Sequence, residues 1–180
     1  MDAREEVLSK VGQGIPGSYT SKIFAPALDP DTLWETFRER FEVLGGKVVQ
    51  YDDVARLPSR DWCVDHTLLP LSPKFGPFNL TDPWSASVGV TGTFLAVAET
   101  GTLVLVHSDA DRRLASLSPP HHLAIVNVRD IVATLDEALV RLPRENAVFV
   151  TGPSRTADIE GQLVRGVHGP KQVWIVIERD

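Results

Sequence analysis

SVGVTGTFLAVAETGTLVLVH, Ser87–His107, is the stretch that decides the fold. SVGVTG and TFLAVA are short apolar strand candidates, and AETGT (Ala98–Thr102) makes a turn into a third run, LVLVH. After the loop SDADRRLASLSPP comes another strand candidate, HLAIVNV. The spacing then predicts a helix from Asp130 to Leu142, capped by Asp130, with Ile131, Leu135, Ala138 and Leu142 on one face. AVFVTG and QVWIVIE supply two further strands. Short apolar strands alternating with helices imply an α/β fold built on a parallel-rich sheet covered by helices.

Upstream, Asp29-Pro30-Asp31 gives a helix start, an aspartate cap with proline at the first helical position. Leu33, Phe37, Phe41 and Leu44 recur at helical spacing, and Gly45-Gly46 ends the element before a strand in KVVQY, 47–51. From Asp52 to Pro83 the prolines are scattered and the periodicity is weak. Asp2 to Val11 reads as a short amphipathic helix, followed by a Gly-, Pro- and Ser-rich linker. The expected organisation is an N-terminal helix and linker over 1–28 and a single α/β domain over 29–180.

The 180 residues are 43% hydrophobic and 23% charged, ordinary values for a globular domain with a real core. A net charge of -6 argues against broad nucleic-acid binding, which needs a basic surface, but leaves room for a local anion site. The single cysteine, Cys63, excludes a disulfide within the chain, a self-contained iron–sulfur cluster and a cysteine-built zinc site. MDAREEVLSKV carries no basic region ahead of an apolar core, and no apolar stretch approaches the length of a membrane span. The cytoplasm is therefore the expected compartment.

Three loops of special composition, AETGT, SLSPPH and TGPSRTADIEG, are expected beyond the C-terminal ends of the strands, where α/β sheets collect ligands. Their hydroxyls and charges are expected to converge there. In TGPSRTADIEG, Gly152 allows a tight turn, Pro153 fixes the approach to a helix, Ser154 caps it, and Asp158 suits its first turns. Capping leaves Arg155 and Thr156 unexplained. Backbone N–H groups, hydroxyls and a guanidinium at a helix N-terminus are the parts of an anion site. The expected anion-binding set is Thr100, Gly101, Thr102, Arg113, Thr151, Gly152, Ser154, Arg155, Thr156, Asp158 and Glu160.

Glu99 ends an apolar run. It is either a solvated acid in a hairpin turn around Gly101 or a desolvated carboxylate serving as nucleophile or general base. His168, between glycines in GVHGP, is the best placed of the five histidines for acid–base work, so Glu99 and His168 are the candidate catalytic residues. His121 and His122 are adjacent and would point to opposite faces of a strand, a poor chelate. Asp109-Ala110-Asp111 lacks the glycine and distal glutamate of a calcium loop, so no tightly bound metal is expected. VGQGIPG and GVTG are neither a Walker loop nor a dinucleotide fingerprint.

Together GVTGTFLAVAETGT, RLASLSPPHHLAIV and TGPSRTADIEGQLVRGVHGP, followed by a terminal strand, resemble the LUD domain. More narrowly, the chain resembles the lactate-utilisation protein C group, the LutC/YkgG type, most strongly from Val88 to Ile177. The resemblance implies a three-layer α/β/α sandwich like that of the NagB/RpiA/CoA-transferase group. It also implies oxidation of L-lactate to pyruvate by a three-protein system in which partner subunits, not this chain, carry the iron–sulfur clusters. Between Tyr51 and Phe78 the chain is shorter than the family pattern. Two alternatives remain open at this stage: a non-enzymatic assembly or regulatory partner of the iron–sulfur subunits, or, by analogy of fold alone, a stand-alone sugar-phosphate or acyl-transfer enzyme.

Overall fold

The computed structural model describes residues 29–57, 61–65, 68, 73–107, 110–157 and 163–179. The helix expected over Asp2–Val11 lies outside them. Helix α1 (Pro30–Val43) starts as its sequence dictates: the Asp29 carboxylate accepts from the backbone N–H of Asp31 and Thr32, at 3.1 and 3.0 Å. It ends at Gly45, whose φ of +93° is a conformation glycine adopts at little cost. Trp34, Phe37 and Phe41 point inward from one face.

Six strands form a sheet whose registered pairings are all parallel, in the order β1 (Lys47–Val48), β12 (Gln172–Glu178), β7 (His121–Asn127), β4 (Val88–Gly92), β2 (Asp61–Val64), β3 (Asn79–Leu80). The α/β architecture with a parallel sheet and an N-terminal helix is the one the alternation implies. Strands β2 and β3 come from the stretch of weak periodicity. They are two to four residues long, too short to show a repeat. KVVQY contributes only its first two residues to a strand, and Tyr51–Val54 forms the short helix α2 instead.

A second sheet of four strands runs in the order β8 (Ile131–Val132), β5 (Leu95–Val97), β6 (Thr102–His107), β9 (Asn146–Val150). Here β5–β6 and β6–β9 are antiparallel. The opening stretch thus feeds both sheets: β4 belongs to the first, and the chain crosses through Thr93-Phe94 into β5 of the second. Leu103 and Leu105 of β6 meet Ala124 and Val126 of β7, Ile175 of β12, and Phe37 and Phe41 of α1 in the largest core. On the opposite face of the parallel sheet, Val54, Trp62 and Phe75 pack against Val90, Leu123 and Val176. Helix α3 (Ala110–Leu117) sits close to β4 because residue 89 is glycine. An ideal Cβ there would lie 1.7 Å from the Ala115 carbonyl oxygen.

Two expected helix starts are corrected. The helix placed at Asp130 begins five residues later, as α4 (Leu135–Arg141). Val128–Asp130 is a 3-10 turn, and Ile131-Val132 is the strand that pairs with β5. The start is set by Thr134-Leu135-Asp136-Glu137, in which the Thr134 hydroxyl accepts from the Glu137 N–H at 3.2 Å and Glu137 turns back to the Ala133 N–H. The second correction concerns Ser154, which caps no helix. The chain enters β10 (Arg155–Ala157), paired antiparallel with β11 (Leu163–Arg165). The Ser154 N–H donates to the Pro170 carbonyl and the Ser154 carbonyl accepts from Gly166, at 2.9 and 3.0 Å. Both backbone groups that a helix start would use are committed to the neighbouring chain.

Candidate functional site

AETGT folds as the hairpin between β5 and β6, closed by a Gly101 N–H to Val97 carbonyl bond of 2.9 Å. Gly101 has φ +64°, and a Cβ on it would lie 2.6 Å from the Phe41 backbone nitrogen, so turn and helix packing both require glycine. The hairpin delivers Thr100 and Thr102 to the C-terminal end of β9. Thr100 donates to Thr102 at 2.8 Å, and the Thr102 hydroxyl lies 2.9 Å from that of Thr151. Thr102 is buried and Thr151 exposed. If the hydroxyls follow one direction along this row, the Thr151 O–H is the donor left facing outward. These threonines line a pocket of about 330 Å³ whose other wall is Leu135, Leu139 and Phe149.

The remaining expected site residues take other places. The Glu99 carboxylate accepts from the Leu135 N–H at 2.6 Å, capping α4 from a neighbouring turn, where the helix dipole favours an acid. Arg155 donates through its guanidinium to the Leu44 carbonyl at the C-terminal end of α1. Gly152, at φ +96°, faces the same residue: a Cβ on it would lie 3.1 Å from the Leu44 carbonyl oxygen. Thr156 is half-buried in the β10–β11 hairpin, and His168 is exposed in the turn before β12. That turn does meet TGPSR, since Gly169 packs on Ser154. Arg113 is exposed on α3. Asp158 and Glu160 lie outside the described residues. SLSPPH, expected at a C-terminal strand end, instead lies at the N-terminal ends of β7 and β12, where the Pro120 carbonyl accepts from Lys171 and Gln172, beside the Pro170 carbonyl that accepts from Ser154.

The structure also assembles polar residues that sequence reasoning passed over. Asp65 follows β2, Thr93 follows β4 and His107 ends β6, and with Glu145 they line a cleft of about 420 Å³. Asp65 and His107 are buried, at 9% and 3% exposure. Behind them, fully buried His122 has its Nε2 2.8 Å from the Thr91 hydroxyl. Burial first, and the neighbouring His107 second, depress its pKa to about 3, so its ring is neutral at pH 7. The only signal in the sequence was a histidine closing the apolar run LVLVH.

The LUD domain model matches residues 83–177. Lactate utilization protein C of Geobacillus sp. strain WCH70 is 28% identical over an alignment that takes in 99% of this chain and 80% of that protein. Its counterpart from Bacillus subtilis strain 168 is 31% identical, with 88% of this chain and 75% of that protein covered. A crystal structure of a DUF162 family protein from Deinococcus radiodurans superposes with a TM-score of 0.59 at 22% identity, covering 83% of this chain and 98% of that one, a likeness of fold.

Proposed function

The chain belongs to the LUD domain family, and from that premise we propose that it works in lactate utilisation as a subunit without an iron–sulfur cluster of its own, beside subunits that carry them. The observation that carries this reading is the run of relatives named lactate utilization protein C, aligned over almost the whole chain. The lone cysteine is consistent with a cluster-free subunit. The small acid is met at the threonine pocket. There the outward hydroxyl of Thr151 donates to a carboxylate or hydroxyl oxygen, and Leu135, Leu139 and Phe149 take the carbon skeleton. The pathway reading is tested by expressing the full chain in a Bacillus subtilis strain lacking its own lactate utilization protein C. Growth on L-lactate is expected to return, and expressed protein without growth overturns the reading. The pocket is tested by titrating L-lactate and pyruvate against the wild type and Thr151→Val. Equal response of the two proteins removes the acid from this pocket.

A second reading, a non-enzymatic assembly partner of the iron–sulfur subunits, is favoured by one observation. The described charged residues of the two loops that carry the threonines, Glu99 and Arg155, each contact a backbone atom. That leaves a pocket lined by hydroxyls and apolar side chains. Copurification separates the two: an assembly partner is recovered with the iron–sulfur subunits and binds no acid by itself.

A further inference from the structure

The cleft of Asp65, Thr93, His107 and Glu145 lies at the other end of β6 from the threonine pocket, about 17 Å away along the strand. It opens where the chain passes from the parallel sheet into the second one. Gly92 and Thr93 leave β4 there, and Phe94 leads into β5. We propose that this cleft is a separate ligand site, selective for a small organic cation: a protonated amine with a short apolar body.

Four observations support that class of ligand. The volume of about 420 Å³ falls in the range of metabolite sites. Its lining contains two carboxylates, Asp65 and Glu145, and neither lysine nor arginine. A second anion is disfavoured there, while an ammonium group finds charge-assisted acceptors. Thr93 Oγ1, on the same lining, is buried with no hydrogen-bond partner among the described residues, and a buried hydroxyl in that state is costly unless something else meets it. Phe94, Val106 and Pro143 form an apolar side against which a methylene chain packs. Behind the cleft, the His122 ring is neutral at pH 7.

The probe is 1,4-diaminobutane, compared with 1,4-butanediol as its uncharged counterpart and succinate as its anionic one. Binding to the full chain is followed by calorimetry and by amide shifts. The diamine is expected to bind at least about tenfold more tightly than the diol, with succinate not binding in this cleft. Asp65→Asn should weaken the diamine by about tenfold. Glu145→Gln, at an exposed position that leaves the fold alone, should weaken it by several-fold. Thr151→Val, in the other pocket, should leave it unchanged. Diol or succinate binding as tight as the diamine overturns the proposal. So does a diamine affinity indifferent to Glu145→Gln, or one lost in Thr151→Val. Lactate binding at the threonine pocket succeeds or fails independently of each of these outcomes.

Discussion

Replacing Gly89 by alanine tests how the second sheet, the parallel sheet and α3 are held together. The backbone of Gly89 is not in the left-handed region, so alanine brings no conformational strain of its own. Its Cβ would nevertheless lie 1.7 Å from the Ala115 carbonyl oxygen and 3.0 Å from Pro119 Cγ. An ordinary carbon–oxygen contact is about 3.3 Å. The obstacle is backbone in the last turns of α3, which cannot rotate away as a side chain would, so the helix must recede from β4 by roughly 1.5 Å. Overpacking of this kind costs about 1–3 kcal/mol, and a backbone obstacle puts Gly89→Ala near the upper end, about 3 kcal/mol. For a chain of this size that corresponds to a fall in Tm of roughly 6–12 °C. Gly92→Ala, on the same strand, is the control. Its Cβ would meet only Leu68 Cδ2, at 3.8 Å, and the change should stay within about 1 kcal/mol of wild type. Urea unfolding of both variants gives the comparison, with an unchanged m-value required for a stability reading. If Gly89→Ala unfolds within about 0.5 kcal/mol of Gly92→Ala, α3 is not held against β4 by this contact.

Thr102→Val removes the middle of the hydroxyl row and should cost about 1 kcal/mol in urea unfolding, since Thr100 and Thr151 can return to water; no loss would mean the row is not formed in solution. His122 should show no protonation midpoint between pH 5 and 8 by ring-carbon NMR, and a midpoint near 6.5 would refute its burial. Because its folded pKa lies below the unfolded value, its contribution to stability is complete above about pH 6.5 and declines as pH falls towards 3. Glu178 behaves in the carboxylate sense. The Tyr51 hydroxyl, and after it Lys74, hold its pKa below the usual value. That stability is present above the unfolded carboxylate pKa and lost as pH falls through the lower folded one. Tyr51→Phe should move the Glu178 titration upward, and an unchanged midpoint would show the hydroxyl is not its main partner.

Long elements with strong local signals were legible in the sequence. Asp29-Pro30 starts α1, and HLAIVNV and QVWIVIE became β7 and β12, paired along their whole length. What was not legible depended on partners distant in the chain. Asp61–Val64 is a strand because Val88–Val90 lies beside it, and nothing within four residues announces that. Asp130 and Thr134 are both acceptable caps, but only Thr134 has a glutamate three residues on, and Ile131-Val132 carry the β-branched side chains that suit the strand they form. The split into two sheets was hidden for another reason. β4, β5 and β6 have similar compositions, and only the pairing partners distinguish the parallel set from the antiparallel one.

The candidate site divides along the same line. Thr102 and Thr151 are 49 residues apart and were expected together because both follow apolar runs; the β6–β9 pairing supplies the contact. Arg155 was assigned to an anion because Gly-Pro-Ser so often opens a helix, whose N-terminus attracts negative charge. In the structure the polarity is reversed: its guanidinium meets the carbonyl end of α1, a partner of partial negative charge. The Leu44 carbonyl takes one N–H of a guanidinium that has five, so this contact ties Arg155 to the helix end, while the acid proposed above is met at Thr151. The two residues thus carry opposite expectations. Thr151→Val should alter acid binding with little effect on unfolding, while Arg155→Ala should lower stability by about 1 kcal/mol and leave acid binding intact.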